Sequence, residues 1–340
     1  MRIAFVVQPL ERTPPLRSGA VERTVWYLAE GMLDRGHEVT LFASGDSVTR
    51  ASLVPTAQRA ILRDLDWDGQ DSWFAATQAA EVLARQSEFD IVNSHASYSF
   101  LGPSLGLKTP SVTSWHGFVH RSSFSEIFGR YSALPLMATS NYQREATSEL
   151  NLNWVATCHN GIAEADVEFS PEPGSYLLYL ARVVPDKQPD VAIKVARAAG
   201  CQLVMAGSVF DSDYFDYKVR PLLRHPGVEY IGEVWGEEKR TLLRDARALV
   251  HPSLFEACSN VIIEALGSGT PVICLDRSSN SELVDQGFTG FVAGTVTEMV
   301  DACDKVGSIS RIACREAFRE RFTADAMVER YLAYFEEAAK

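Results

Sequence analysis

The first forty residues restrict the possible fold more than any other stretch of the chain. An apolar run at 3–7 is followed by an apolar stripe and then by a second apolar run at 39–43. The stripe consists of Val21, Val25, Leu28, Met32 and Leu33. Its spacing is that of one helix face, and Gly36 stands where a helix commonly ends in the left-handed conformation. This order predicts a strand, a helix and a parallel strand joined by a right-handed crossover.

The rest of the chain repeats this alternation of short apolar runs with helical stretches. In the first half, the runs predict further strands at 90–93, 111–114, 136–139 and 154–158. In the second half, they predict strands at 176–180, 202–206, 228–231, 248–252 and 271–275. Strands that alternate with helices in this way predict an α/β protein, and 340 residues are enough for two doubly wound domains.

An acidic segment rich in proline and glycine separates the two halves. Residues 164–175 include Pro171, Pro173 and Gly174, which is the composition of a linker. We therefore predict a first domain over residues 1–165 and a second over residues 172–325. Residues 326–340 form a closing helix, because their large apolar side chains recur at helical spacing.

Charge and cysteine content exclude several classes of protein. The net charge is −12, which disfavours binding to nucleic acid and to anionic lipid. The N-terminal apolar run is too short for a secretory signal or a membrane span. Five of the six cysteines lie in the second half, and none of the six has zinc-site spacing, so we expect reduced thiols and a cytoplasmic protein.

Motifs for common cofactors are absent from the sequence. No Gly-x-Gly-x-x-Gly follows the first strand, and no phosphate-binding loop of the Gly-x-x-x-x-Gly-Lys type occurs. A nicotinamide dehydrogenase and a P-loop nucleotidase are therefore disfavoured. Asp211 and Asp213 have the Asp-x-Asp form of some metal-dependent transferases, but we interpret them as part of a solvated loop. We expect neither a metal nor an organic cofactor.

Two places combine strand ends with groups that suit phosphate, because open α/β domains bind ligands at the carboxyl ends of their strands. Gly19 and Ala20 open the first helix, where backbone N–H groups attract anions; alternatively, Gly19 only permits the turn. Arg182 and Lys187 follow the strand at 176–180, and such a pair suits a pyrophosphate. Taken alone, this pair is more typical of a solvated loop.

The stretch 251–276 carries the strongest chemical signal. It predicts a strand, a loop, a helix and a second strand, with Glu256 in the loop and Glu264 in the helix. Backbone N–H groups of Cys258, Ser259, Asn260 and Val261 near the helix start suit an anion.

Together these motifs resemble glycosyltransferase family four, a group of retaining sugar transferases with the GT-B fold. The two glutamates separated by seven residues, followed by the segment 265–273, are similar to the signature of that family. Further motifs agree in the expected order: Ser18-Gly19-Ala20-Val21-Glu22, the segment 36–40, Trp115-His116-Gly117, Asn160-Gly161-Ile162, and Ala181-Arg182 with Lys187. The resemblance implies two Rossmann-like domains that face a central crevice, with the closing helix crossing back to the first domain.

The resemblance also implies a reaction and roles for the site residues. A hexosyl unit would move from a nucleoside diphosphate sugar, with UDP or GDP favoured, to a hydroxyl of an acceptor bound by the first domain. Arg182 and Lys187 would neutralise the departing diphosphate, with no metal. Glu264 would bind the nucleotide ribose, and Glu256 would bind sugar hydroxyls near the anomeric carbon. The leaving phosphate would take the acceptor proton, so no protein base is required.

The remaining site residues follow from the same resemblance. Residues Cys258, Ser259, Asn260 and Val261 would offer backbone N–H groups to the donor. Gly19 and Ala20 would form the family's glycine loop at the donor site. His116 would lie across the crevice, near the sugar.

Three departures from the family pattern bear on the choice of donor. Ala20 replaces the second glycine of the first loop, and Ala181 replaces the glycine before the basic pair. Residues 257–260 read Ala-Cys-Ser-Asn where the family commonly has Pro-Phe-Gly-Leu.

For the acceptor, we expect a soluble small metabolite, natural product or oligosaccharide. Residues 1–164 hold 13 Lys and Arg against 17 Asp and Glu, with no basic helix face, so stable membrane association is not expected. Aromatic candidates for stacking on the acceptor are Trp26, Trp67, Trp73, Phe118 and Phe124. Two alternatives stay open: an epimerase or hydrolase of nucleotide sugars on the same fold, and a catalytically silent binding scaffold.

Overall fold

The computed structural model describes residues 1–17, 19–62, 71–117, 119 and 122–340, with only the backbone of Ser122 and Ser123. These residues divide into two compact units. The first unit comprises Met1–Gly161 and Ala324–Lys340, and the second comprises Ile162–Thr323. Each unit is built on a parallel sheet of its own.

The first unit contains a parallel sheet of seven strands within its described residues. These are β1 (Arg2–Val6), β2 (Glu38–Ser44), β3 (Ser52–Ala57), β4 (Ile91–Ser94), β5 (Ser111–Trp115), β6 (Leu136–Ala138) and β7 (Trp154–Thr157). Their order in the sheet is β3-β2-β1-β4-β5-β6-β7. The order reverses between β1 and β4, which is the topological switch point of a doubly wound sheet.

Five helices of the first unit precede the second unit in the described chain. They are α1 (Ala20–Asp34), α2 (Asp71–Arg85), α3 (Leu101–Ser104), α4 (Ser122–Phe128) and α5 (Asn141–Glu145). Helix α1 buries Val25, Leu28 and Met32 completely, which are three members of the apolar stripe. The chain then turns through Gly36, whose φ of 79° lies in the left-handed region that favours glycine.

The second unit contains a parallel sheet of six strands. These are β8 (Tyr176–Leu180), β9 (Leu203–Ala206), β10 (Val228–Tyr230), β11 (Ala246–His251), β12 (Val272–Leu275) and β13 (Gly290–Ala293), in the order β10-β9-β8-β11-β12-β13. Its helices are α6 (Pro189–Ala198), α7 (Ser212–Tyr214), α8 (Gly236–Asp245), α9 (Asn260–Gly267), α10 (Asn280–Leu283), α11 (Val296–Lys305) and α12 (Arg311–Arg321). The prediction of two doubly wound, Rossmann-like α/β domains is confirmed.

Gly207 holds the ends of β8 and β9 close together. Its φ is +147°, and a Cβ added there would lie 1.8 Å from the carbonyl oxygen of Ala181. Only glycine fits this approach of one backbone to another. The contact fixes the position of the loop that begins at Arg182.

The segment that the sequence marks as a linker is bound to the second unit. Glu164 pairs with Arg315 and Arg319, both at 2.6 Å, and the Ser170 carbonyl oxygen accepts a hydrogen bond from Arg311 at 2.8 Å. The units therefore divide at Gly161 and Ile162, before the prolines and glycine that suggested a boundary at residues 164–175.

The last helix, α13 (Ala324–Ala338), belongs to the first unit. Phe335 is fully buried, and its ring lies 6.2 Å from that of Phe5 on β1. At Gly31 of α1, an added Cβ would lie 2.6 Å from a methyl group of Val328, so this glycine lets the two helices approach closely. None of the described helices has both the length and the apolar character needed to cross a bilayer.

Candidate active site

In the second unit, Lys187 and Glu256 lie together beyond the carboxyl ends of β8 and β11. The Nζ of Lys187 donates to the Glu256 Oε1 at 2.7 Å, to the Phe255 carbonyl oxygen at 2.8 Å and to the Ser253 Oγ at 3.2 Å. The two loops are joined directly, because the backbone N–H of Leu254 donates to the Asp186 carbonyl oxygen at 2.9 Å. Two residues of the sequence motif that are 69 positions apart thus form one buried ion pair.

Glu256 has a second polar neighbour in His251. The Nε2 of His251 lies 3.2 Å from the Glu256 Oε1 and 3.3 Å from the Ser259 Oγ. Burial alone would raise the pKa of Glu256, but the hydrogen bond from His251 and the charge of Lys187 lower this pKa to about 2. Glu256 is therefore an ionised carboxylate across the physiological pH range.

The contacts of Lys187 limit how it could meet a diphosphate. Its side chain is almost completely buried, and its ammonium donates to three protein acceptors. An ammonium has three hydrogens, so a phosphate oxygen must replace or share one of these acceptors. In this structure, the contacts of Lys187 hold Glu256 in place.

Arg182, in contrast, is exposed at the end of β8. Its guanidinium carbon lies 5.3 Å from the centre of the Phe210 ring, and none of the described carboxylates forms an ion pair with it. Buried Tyr179 fixes the loop that carries both cations, because the single hydrogen of its hydroxyl is shared between the carbonyl oxygens of Arg182 at 3.2 Å and Lys187 at 3.3 Å. This loop therefore presents one exposed and one buried cation.

Glu264 lies on α9 and pairs with a lysine of α8. Lys239 donates to one carboxylate oxygen of Glu264 at 2.7 Å, and the other oxygen lies 2.6 Å from the same nitrogen. At the start of α9, Cys258 and Ser259 are buried, whereas Asn260 and Val261 are partly exposed. The Ser259 hydroxyl contacts His251 and does not cap the helix.

In the first unit, His116 lies directly after β5 and contacts a second histidine. Its Nε2 is 2.8 Å from the Nδ1 of His95, and the Nε2 of His95 is 2.8 Å from the Oδ1 of Asn93. Burial lowers the pKa of His116 to about 4. The imidazole is therefore neutral at physiological pH.

At the start of α1, the predicted glycine loop lies beside a buried carboxyl group. Gly19 has a φ of +154°, and the ring of Pro15 occupies the space of a Cβ, at 2.6 Å. The nearby carboxyl of Glu22 has a pKa raised to about 7, chiefly by burial and also by the charge of Glu11. Ala20 begins the helix, and Ser18 of the same motif lies outside the described residues.

The aromatic candidates for stacking separate into different environments. Phe124 is fully buried between Trp115 and Phe128, so its prediction as a stacking residue is wrong. Trp73 is exposed on α2 and Trp26 is partly exposed on α1, whereas Trp67 and Phe118 lie outside the described residues. Among the described side chains, no group of three histidine, cysteine, aspartate or glutamate residues could hold a metal ion.

Comparison with known protein families decides the identity of both units. Residues 163–321 match the model for glycosyl transferases group 1, and residues 21–166 match the model for Glycosyltransferase Family 4. The chain belongs to the family 4 glycosyltransferases. Its activity is therefore glycosyl transfer.

Individual relatives of this glycosyltransferase are distant in sequence. It is similar to the glycogen synthase of Mycobacterium tuberculosis, with 25% identity over 92% of this chain and 88% of the relative. The structure is similar to AviGT4, a glycosyltransferase involved in avilamycin A biosynthesis, with a TM-score of 0.75, 23% identity and coverage of 99% and 98%. It is also similar to Anabaena Alr3699/HepE in complex with UDP and glucose, with a TM-score of 0.75, 17% identity and coverage of 99% and 100%. The GT-B fold class of this glycosyltransferase is thereby confirmed.

The sequence-based prediction lacks three side chains that contact the predicted site residues: His251, His95 and Lys239. His251 and His95 each directly end or follow a buried strand, and a polar residue at that position is a usable signal. Lys239 lies on the amphipathic helix α8 among other charged residues, so nothing in its local sequence distinguishes it.

Proposed function

We propose that this glycosyltransferase moves a hexosyl unit, with retention of configuration, from a UDP- or GDP-sugar to a hydroxyl of a soluble acceptor. The observation that carries the proposal is the arrangement at the ends of β8 and β11. An exposed arginine, Arg182, stands beside a buried cluster in which Glu256 is held ionised by Lys187 and His251. This arrangement offers one group for a departing anion and another for developing positive charge.

The chemistry assigns a different task to each group. When the bond between the anomeric carbon and the diphosphate oxygen breaks, negative charge grows on the diphosphate. The planar guanidinium of Arg182 matches two phosphate oxygens and stabilises that charge. The carboxylate of Glu256 stabilises the positive charge at the sugar and accepts hydrogen bonds from its hydroxyls.

Retention follows from attack on the same face that the diphosphate leaves. The acceptor oxygen forms its bond to the anomeric carbon there, and its proton passes to the departing phosphate oxygen. Neither a protein base nor a metal ion takes part in this proposed sequence.

The remaining members of the site complete the donor proposal. Glu264 binds the ribose, exchanging part of its contact with Lys239 for the sugar hydroxyls. Backbone N–H groups of Cys258, Ser259, Asn260 and Val261 bind the donor. Gly19 and Ala20 of the first unit contribute backbone contacts, and His116 contributes a neutral imidazole.

Donor and acceptor classes draw support from the relatives and from the charge of the chain. The Anabaena structure contains UDP and glucose, which supports a nucleotide-sugar donor. AviGT4 is involved in avilamycin A biosynthesis, which supports an acceptor such as a natural product. The excess of acidic residues in the first half disfavours an anionic lipid surface. The six cysteines carry free thiols, which supports a reducing, cytoplasmic compartment.

Two exposed arginines provide a matched experimental pair. Arg182 stacks on Phe210 at 5.3 Å, and Arg220 stacks on Phe215 at 5.2 Å in the same unit. Thermal shift against UDP, GDP, ADP, dTDP and their sugar conjugates first identifies the donor, since a ligand at 100 times its Kd stabilises a fold by about 2.7 kcal/mol.

We then expect Arg182→Ala to lower kcat by about 10²-fold to 10³-fold. Arg220→Ala should stay within about twofold, because it removes only an exposed ring contact and an exposed ion pair with Asp216. Equal rates for both variants would overturn the assignment of Arg182. Sugar release that does not depend on any acceptor would favour the hydrolase, and no binding of any donor would favour the silent scaffold.

A further inference from the structure

In the first unit, His116 is the end of a hydrogen-bonded chain of three polar side chains. Asn93 on β4, His95 directly after β4 and His116 directly after β5 are joined by two hydrogen bonds of 2.8 Å. Asn93 is fully buried and His95 almost so, whereas His116 keeps part of its surface exposed. The outer member of the chain is thus the one that can meet a ligand.

The orientation of Asn93 fixes the direction of every hydrogen bond in this chain. Its Nδ2 lies 3.1 Å from the Val112 carbonyl oxygen, which can only accept, and 3.0 Å from the Ser114 Oγ. The amide nitrogen must therefore face Val112, and the Oδ1 must face His95. Because Oδ1 only accepts, the Nε2 of His95 carries the hydrogen of that bond.

The same reasoning extends to His116. Burial, with the neighbouring His116, holds the pKa of His95 well below its usual range, so the ring carries a single hydrogen. That hydrogen is on Nε2, so the Nδ1 of His95 accepts and the Nε2 of His116 must donate. His116 is neutral as well, so its own Nδ1 has a lone pair and no hydrogen. No described residue donates to this Nδ1.

We infer that Asn93 and His95 are positioning residues, which hold His116 as the Nε2–H tautomer so that its Nδ1 accepts a hydrogen bond from a substrate hydroxyl. This inference rests on the proposed function for the presence of a sugar or alcohol substrate. A lone pair attracts an O–H group and repels a phosphate oxygen, so the ring selects a hydroxyl and not the diphosphate. The hydroxyl can come from the donor sugar or from the acceptor.

Ring stacking fixes the position of His95 within this chain of hydrogen-bonded side chains. His95 stacks on Tyr331 of α13 with ring centres 6.1 Å apart and on His116 with centres 5.0 Å apart. The hydroxyl of Tyr331 lies 3.1 Å from the Ser114 Oγ, which also contacts Asn93. Phenylalanine substitutions at His95 and Tyr331 keep a ring at each position, so they test the hydrogen bonds of these side chains separately from their packing.

Nitrogen NMR of the histidine rings tests the inference without any substrate. The full chain, labelled with ¹⁵N-histidine, has only seven histidines, and His116→Gln assigns the relevant signals. At pH 7 we expect the His116 Nε2 at the shift of a protonated ring nitrogen and its Nδ1 at that of an unprotonated one. The reverse pattern, or a doubly protonated ring, would overturn the inference.

Two variants then test what sets the tautomer. His95→Phe keeps a ring in the stack but removes the acceptor for His116, so the His116 signals should move toward a mixture of tautomers and kcat should fall about tenfold. Tyr331→Phe removes the hydrogen bond to Ser114 but keeps the ring stack and the two bonds that join Asn93, His95 and His116, so both readouts should match the wild type. A wild-type tautomer and kcat in His95→Phe, or an equal change in Tyr331→Phe, would contradict a positioning role.

Different results would refute the proposed function and the inference about the His116 tautomer. If His95→Phe does not fold, the spectrum of the wild-type protein still decides the tautomer. Added UDP and UDP-glucose distinguish the sources of the hydroxyl, because a shift of the His116 Nδ1 signal with UDP-glucose but not UDP identifies the donor sugar. Absence of sugar transfer with every donor would refute the proposed function and leave the tautomer result intact.

Discussion

Replacing Glu256 by glutamine should change the stability of this glycosyltransferase in a way that depends on pH. In the folded protein the pKa of Glu256 is about 2, against an ordinary value of 4.5. One pKa unit corresponds to about 1.4 kcal/mol, so ionisation of this buried carboxyl stabilises the folded state by about 3 kcal/mol. Because the pKa is depressed on folding, this stabilisation is complete above pH 4.5 and is lost as the pH falls toward 2.

The expected result is a difference in unfolding free energy between the wild type and Glu256→Gln that narrows on acidification. Between pH 7 and pH 3 it should shrink by about 2 kcal/mol, since the linkage relation assigns that share of the stabilisation to this interval. Urea unfolding followed by pulsed hydrogen exchange of peptides from 246–267 reports on the second unit alone. These peptides cover β11 and α9, which flank Glu256.

Lys187→Met supplies the companion measurement. It removes the ammonium that lies 2.7 Å from the carboxylate, and breaking a buried pair of this kind costs about 3–5 kcal/mol. In the Lys187→Met background, adding Glu256→Gln should produce a smaller pH-dependent difference. A difference between the wild type and Glu256→Gln that stays constant from pH 7 to pH 3 would refute the reasoning, because it would mean that Glu256 ionises alike in the folded and unfolded states.

Two further predictions concern the second unit and the cysteines. Gly207→Ala places a Cβ 1.8 Å from the Ala181 oxygen and should lower the free energy of unfolding by about 3 kcal/mol or more. Gly232 has a φ of +81° and open space around an added Cβ, so Gly232→Ala should lower it by only about 1 kcal/mol. Similar melting temperatures for the two variants would contradict the close approach. Burial raises the pKa of four thiols to about 12: Cys158, Cys274, Cys303 and Cys314. Iodoacetamide should therefore not alkylate these thiols in the native protein at pH 8. Mass spectrometry of native and denatured samples measures the difference. Labelling of any of the four at the denatured rate would show that burial does not protect it.

The sequence predicts all but one strand of each sheet, and in both sheets the missed strand lies at an edge. β3 and β13 are absent from the sequence-based prediction. β3 lies at the sheet edge and contains Pro55, which is tolerated there because an edge strand has one side without ladder hydrogen bonds. β13 is short, begins at Gly290, and lies at the other sheet's edge. Both strands contain a residue that is typical of turns, Pro55 in β3 and Gly290 in β13, so neither stands out from a loop in the sequence.

Some residues of the candidate site could also be predicted from the sequence, whereas others could not. Glu256, Glu264 and Arg182 were found because their spacing along the chain forms a motif. Their neighbours His251 and Lys239 were not, because each pairing depends on which loop or helix the fold brings alongside. The saturation of Lys187 by three acceptors is also a tertiary property, since Ser253, Phe255 and Glu256 are far from it in sequence.

The discontinuous chain of the first unit has a consequence for biosynthesis. Its sheet is encoded by residues up to Gly161, but α13, which buries Phe335 against that sheet, follows the whole of the second unit in chain order. During translation the second unit therefore emerges in full before the first can be completed. A nascent chain that stops before residue 324 leaves the apolar surface beside Phe5 uncovered, which marks the unfinished enzyme for chaperones and proteases.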